Sequence, residues 1–242
     1  MMNERVKKQD NTGFESARPL TRLLENSTTG MEFHFDRVKL PVGCGANFVL
    51  PVRSDGEPNE IGEIRGVILY SHPVNIYYNK PFDGEENAPD CSSADGIRGY
   101  GYPGTDCRSC PYNRFGSGHG RSKLCKNRRM LYIQQEGKLF PVMLSLPTAS
   151  LRLFSDYVME QLRNGKLVSE IVTVIHLHKA INRDGNTYPE VAFQYVRDLK
   201  TEEKDIISDA IEVAQKYAST LMPAQVMIDP MTGEMIRQGE SQ

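Results

Sequence analysis

A mainly β chain with helices, an α+β fold, is what this sequence predicts, and three observations carry it. Short runs alternate apolar and polar residues and are separated by Gly, Pro, Asn and Asp turns, as strands are. One segment, 148–165, has helical spacing and lies between two β-hairpin patterns. A second helical stripe occupies 201–220, near the C-terminal end. The central order, strands then helix then hairpin, is that of an OB-fold-like five-stranded barrel, a three-strand, helix, two-strand arrangement. A mixed α+β sheet with the same elements in other pairings is the alternative.

Taken in order, residues 1–60 read as a polar N-terminal arm with accessory strands. The arm holds a short amphipathic piece, ARPLTRLLENS, and the strand pattern lies in 31–52, MEFHFDRVKLPVGCGANFVLPV. Residues 61–199 read as the OB-like domain. GEIRGVILYSHPVNIYYN supplies either two β segments, Ile64–Tyr70 and Val74–Tyr78, or one strand bent at Pro73. RRMLYIQQEGKLFPVMLSLP is a hairpin turning at Glu136–Gly137. In TASLRLFSDYVMEQLRNG, Thr148 or Ser150 can cap a helix whose apolar face is Leu151, Phe154, Val158 and Leu162, with Gly165 as the stop. A second hairpin turns at Asp184–Gly185. Residues 200–242 are an acidic helix and tail, with Ile206, Ala210, Val213 and Tyr217 on one stripe. Across 242 residues and 27.3 kDa the chain is long enough for one large domain with appendages. It has no run approaching the ~18 apolar residues of a membrane span and no apolar leader at residues 1–16, so a cytoplasmic protein without a membrane partner is expected.

The cysteines are the sharpest signal. Four of the five (Cys91, Cys107, Cys110 and Cys125) fall within 35 consecutive residues, spaced C-x15-C-x2-C-x14-C. In an intracellular chain such clustering points to metal before disulfides. The DCRSCP knuckle can turn two thiolates onto one ion, and four thiolates suit tetrahedral zinc. The stretch is glycine-rich and has little core of its own, so bound metal could supply its folding energy. Four protein ligands leave no open coordination position, which makes the zinc structural and argues against metal-dependent hydrolysis. His119 could replace Cys91 or Cys125, an iron–sulfur cluster uses the same ligand type, and a redox CxxC is disfavoured by flanking Pro and Gly. Cys44 stands apart.

The formal charge of −2 conceals a segregation. From 91 to 130 there are eight basic residues (Arg98, Arg108, Arg114, Arg121, Lys123, Lys126, Arg128 and Arg129) against Asp95 and Asp106. Four thiolates with zinc would still leave this stretch at +4; residues 200–242 carry −4. Aromatic residues interleave with the cations: Tyr112, Phe115 and Tyr132, with Tyr77 upstream. Basic side chains for phosphates and rings for bases are what a single strand needs. The candidate nucleic-acid contacts are Arg114, Phe115, Arg121, Lys123, Lys126, Arg128, Arg129, Tyr132, Tyr77 and Tyr112. An acidic end folded over this basic middle would mask it. No Ser–His–Asp or Cys–His nucleophile arrangement can be argued from spacing, and GSGHGRSK lacks the spacing of a phosphate-cradling loop. No enzyme is expected. His176 and His178 share a strand face without a further ligand pattern.

At CSSADGIRGYGYPGTDCRSCPYNRFGSGHGRSKLCKNRRMLYI the chain resembles the single-stranded-DNA-binding proteins of bacteriophages and mobile elements, which combine an OB-like fold with an interrupting zinc module. The resemblance covers roughly 61–199 and is densest over 91–133. It implies Cys91, Cys107, Cys110 and Cys125 as zinc ligands and single-stranded DNA as the partner, with RNA offering similar phosphates and bases. It implies a place in DNA replication or recombination, in the bacterial host cytoplasm, with replication or recombination proteins met through the acidic C-terminal segment. The competing expectation is a zinc-stabilised protein-interaction factor, a transcription regulator or an inhibitor of host machinery, that binds no strand.

Overall fold

The fold is described from a computed structural model, over residues 13–14, 20–21, 24, 33–41, 45–51, 59–80, 88–181 and 185–221, with the backbone alone of 226–228 and 235–237. It is mixed α+β, mostly strands, with two long helices among the described residues. The strands are β1 (Asp36–Val38), β2 (Phe48–Leu50), β3 (Asn59–Ile61), β4 (Glu63–Tyr77), β5 (Cys91–Ser93), β6 (Tyr100–Gly101), β7 (Lys126–Gln135), β8 (Val142–Leu146), β9 (Ile171–Ile181), β10 (Thr187–Asp198), β11 (Val226–Ile228) and β12 (Met235–Arg237). The helices are α1 (Leu151–Arg163) and α2 (Thr201–Leu221).

β4 is the spine. Of the two alternatives, the segments around Pro73 form one 15-residue strand, which carries a bulge between Ile68 and Tyr70. A bulge adds local twist, which lets so long a strand serve several neighbours. One edge of β4 pairs antiparallel with β7 over most of its length. The other edge takes β9 at its start, Glu63 to Gly66, and β5 at its end, Asn75 to Tyr77. β7 continues to β8 and then to β1, the last pair parallel. β10 pairs β9. Among the described residues no pairing joins β10 back to β8 or β1, so the sheet is not closed into a barrel.

Each face of the sheet is covered by one helix. On the first face Val67, Leu69, Val74 and Ile76 of β4 join Met130 and Tyr132 of β7 and Met143 of β8. α2 closes this face with Ile207, Ala210, Val213, Ala214 and Ala218, and Phe14, Leu20 and Phe35 from the N-terminal part fill the same cluster. On the second face Ile64, Ile68, Leu131, Ile133, Leu144 and Leu146 pack with Phe154 of α1, Ile175 and Val191. The two sets alternate along β7 because successive side chains leave opposite faces of a strand. Leu151, Phe154 and Val158 do face the core as their spacing requires, but Leu162 is largely exposed and Tyr157 and Gln161 are buried in its place. Tyr157 is admitted because its hydroxyl meets Thr173 Oγ1 at 2.7 Å. Ser150 does not cap α1; its hydroxyl accepts the Val191 N–H at 2.9 Å and ties the helix start to β10. Gly165 ends the helix with φ +72°. On α2, Ile207 faces the core more fully than Ile206.

The N-terminal part is not a loose appendage at the residues described. Phe14 and Leu20 are buried, and Asp209 of α2 accepts the Leu20 and Thr21 N–H groups and the Thr21 hydroxyl. The expected turn at Asp184–Gly185 falls partly outside the described residues; Gly185 itself has φ +80°, the left-handed conformation a hairpin turn asks of glycine. Cys44 also lies outside them. Among the described residues no helix is long and apolar enough to cross a membrane.

Candidate metal centre and nucleic-acid interface

The stretch between β4 and β7 has almost no apolar core, and its backbone is held by turns. β5 and β6 stitch it to the end of β4, with Tyr77 opposite Cys91. Cys107 N–H donates to Ile97 O at 2.7 Å, Cys125 N–H to Tyr112 O at 2.9 Å, and Gly99 N–H to Thr105 O at 2.9 Å. Asp106 turns the knuckle by accepting the N–H and hydroxyl of Ser109, both at 2.8 Å. Pro111–Asn113 then forms one 3₁₀ turn directly after Cys110. Gly99 is required: a Cβ there would stand 2.8 Å from Cys91 Sγ.

These turns bring Cys91, Cys107, Cys110 and Cys125 to the wall of one cavity of about 20 Å³, which has room for a single water-sized sphere. All four are free thiols, and three are buried. Burial first, then the neighbouring Cys107 and Cys110, push the Cys125 thiol up to about 11. Burial likewise raises Cys91, against an N–H from Gly104. Thiols crowded together this way resist ionising until a cation joins them, and a coordinated ion reverses that preference. Among the described residues no three His, Cys, Asp or Glu stand in ready metal-holding geometry, so the four sulfurs border a shared space and do not form a finished tetrahedron. As a donor set, four soft thiols around a space of one atom's size suit zinc. His119 is exposed and does not line this cavity.

An amide clasp fixes the module to the sheet. Asn127 Nδ2 on β7 donates to Asn75 Oδ1 at 2.6 Å and to Asn113 Oδ1 at 2.9 Å. Lys123 Nζ donates to Asn113 and Asn127, at 3.1 and 2.8 Å, and Asn113 Nδ2 donates to Cys107 O at 2.7 Å. Lys123 also stands 4.8 Å from the Phe115 ring centroid, a cation–π contact. The sequence alone does not indicate this clasp. Three asparagines scattered over 53 positions give no local signal, and only strand register unites them.

The ten residues expected to touch a strand divide into four groups. Arg114, Arg121 and Lys126 are exposed, and Phe115 is 82% exposed. Lys123 is half-buried and spent on the clasp. Arg128 and Arg129 are half-buried and leave opposite faces of β7. Arg128 Nε donates to Ser145 Oγ at 2.9 Å and its Nη2 to Ser145 O; burial lowers its pKa. Arg129 Nε donates to Ser71 Oγ at 2.9 Å and its guanidinium lies 5.7 Å from the Phe154 centroid.

The tyrosines require correction. Tyr132 is 0% exposed and packs against Phe35 and Tyr217 under α2, so no base can reach its ring. Its position on β7 alternates with Leu131 and Ile133, and both sheet faces are covered there. Tyr77 is also buried, its ring 4.7 Å from that of Tyr112, which pins the module from below. In their place the module exposes Tyr102 (71%) and Ile97 (66%). Its two acids are consumed locally. Asp95 accepts N–H groups of Ile97 and Arg98 and the Ser93 hydroxyl, and Asp106 is held by Ser109. Neither forms an ion pair with a module arginine or lysine among the described residues.

No family model, no curated protein and no solved structure matches the chain.

Proposed function

We propose that this protein binds single-stranded nucleic acid, DNA before RNA, without an enzymatic activity, and serves replication or recombination of a phage or mobile element. The observation that carries the proposal is the surface of the cysteine module. Among the described residues exposed Arg108, Arg114, Arg121 and Lys126 form no ion pair with a carboxylate, and the same module exposes the rings of Tyr102 and Phe115. Such a surface offers donors for phosphates and faces for bases, each stacked base being worth about 1–3 kcal/mol. Zinc held by Cys91, Cys107, Cys110 and Cys125 would fix the turns that present it; its role is structural, with all four positions taken by protein. The strand order β8-β7-β4-β9-β10, with α1 between β8 and β9, supports an OB-like reading of the core as a partly open barrel.

The test is a titration of labelled oligo(dT), the matching duplex and an RNA oligomer at two salt concentrations. Preference for the single strand with affinity falling steeply in salt is expected, about 0.7 in log–log slope per phosphate neutralised. Equal affinity for the duplex, or none for any strand, would overturn it. A second reading has its own support: the module exposes three large apolar side chains, Ile97, Tyr102 and Phe115, which would suit a protein partner. Absence of strand binding would leave a zinc-stabilised protein-interaction factor.

A further inference from the structure

On the second sheet face the rows of β4 and β7 change character along their length. Running back along β7 on that face, Ile133 and Leu131 are core, then Arg129 and Asn127 follow. Opposite them on β4 stand Ser71, Pro73 and Asn75. α1 covers the apolar half and stops short of the module, so an open groove of about 460 Å³ remains between helix and module. That is the size of a small-ligand pocket, ~300–1,000 Å³, and far more than one anion needs. One side of it is polar and rigid, the clasp of Asn75, Asn113 and Asn127. The other is apolar: Phe154, Val158 and Met159, the last 46% exposed.

Arg129 lies on the floor with its guanidinium against the Phe154 ring. Among the described residues no carboxylate pairs with it, and its one hydrogen bond, from Nε to Ser71, leaves the Nη donors without a partner. A half-buried cation without a counter-ion is costly unless an anion completes it, and a guanidinium fork matches phosphate geometry. Beside it an exposed methionine and a valine form an adaptable apolar wall suited to a flat ring.

We propose that this groove is a nucleotide pocket, Arg129 taking a phosphate and the Phe154–Val158–Met159 wall taking the base. It deepens the strand-binding reading above and rests on it for the source of the nucleotide: one unit of the bound strand turned inward between helix and module. Arg128 also borders the groove, but its guanidinium is turned to Ser145 on the other side of the sheet.

The test uses the full-length, zinc-loaded chain with two probes, thymidine 5′-monophosphate followed by amide chemical shifts, and labelled oligo(dT). The monophosphate should shift amides of Asn75, Asn127, Arg129 and Val158, at lower concentration than thymidine or inorganic phosphate. Met159→Glu sets a carboxylate at the rim of the groove on an exposed helix position, where the fold tolerates it. It should weaken oligo(dT) about tenfold, and Met159→Lys should weaken it less, its added positive charge offsetting part of the lost apolar contact. Arg129→Ala should lower the salt slope by about one phosphate. Monophosphate shifts that avoid the groove would overturn the proposal. So would oligo(dT) binding indifferent to both Met159 variants, and the strand reading would then survive on the module surface alone. If wild type binds no oligo(dT), that reading fails by itself, and the monophosphate shifts still decide the groove. Inorganic phosphate matching the monophosphate would overturn the base assignment.

Discussion

Arg128 and Arg129 are neighbours in sequence and belong to different surroundings. Strand alternation sends Arg128 to Ser145 beneath the first face and Arg129 to the groove on the second. Replacing both together would mix a loss of internal hydrogen bonds with a loss of charge, so single substitutions are the informative ones. The clean residue-scale variant for stacking is Phe115→Ala. Its ring is 82% exposed and touches only Lys123 among the cations, so the melting temperature should hold, as it does for most surface changes. Oligo(dT) affinity should fall by about 1–3 kcal/mol; unchanged affinity with an unchanged salt slope would remove Phe115 from the interface. Glu203 is the residue whose titration matters for stability. Burial pushes its carboxyl up, but Arg197 (Nη1 at 2.7 Å, Nη2 at 2.9 Å) and the Lys200 N–H at 2.8 Å outweigh this and hold it below the ordinary glutamate range. A carboxyl with a depressed folded-state pKa stabilises fully above its unfolded value, about 4.3. That stabilisation is lost as pH falls through the lower, folded value. Glu203→Gln should therefore lower the melting temperature at pH 7, and the gap from wild type should close as pH drops from 5 toward 3. A gap independent of pH would assign the effect to packing.

At the scale of elements, legibility followed the range of the interaction. The helix over 148–165, its Gly165 stop and the Glu136–Gly137 turn depend on near neighbours, and the local pattern predicts them. The convergence of four cysteines on one cavity was also legible, because the CxxC knuckle and its flanks are spaced for it. What stayed hidden depends on register. Nothing near Tyr132 tells that α2, some 70 positions later, covers its face, and nothing near Asn75 foretells Asn113 and Asn127. The bulge between Ile68 and Tyr70 is equally silent. The module itself gives the element-scale prediction. With so little apolar core, its turns should depend on the zinc we propose it holds. Removing zinc with a chelator, or replacing Cys107 by Ser, should free the 91–125 amides to exchange, while those of β7, β8 and α1 stay protected. Strand binding should disappear with the module. Full zinc stoichiometry and native exchange in Cys107→Ser would remove Cys107 from the ligand set.

For the whole molecule, the segregated charge takes on a different meaning once α2 is placed. An acidic end laid over a basic middle would mask it, and its removal would then strengthen binding. Yet α2 lies on the first face, whereas the Arg129 groove opens on the second. Two of its acids already have internal duties: Glu203 holds Arg197, and Asp209 accepts the backbone of Leu20 and Thr21. Its apolar side, Ile207, Ala210, Val213, Ala214, Ala218 and Leu221, is buried, most of it against Val67, Leu69, Met130 and Tyr132. A chain ended after residue 200 would expose that face, and a sheet with one bare apolar face does not persist as a packed monomer. Such a chain should be aggregated or should bind a hydrophobic dye, with its near-ultraviolet circular dichroism lost. A chain ended after residue 221 keeps α2 and isolates what the last 21 residues do. If the shorter chain is instead well packed and holds oligo(dT) more tightly than full length, α2 is a mask and not part of the core. If only the chain ended after residue 221 binds more tightly, masking belongs to the tail beyond Leu221, whose β11 lies beside β5 of the cysteine module.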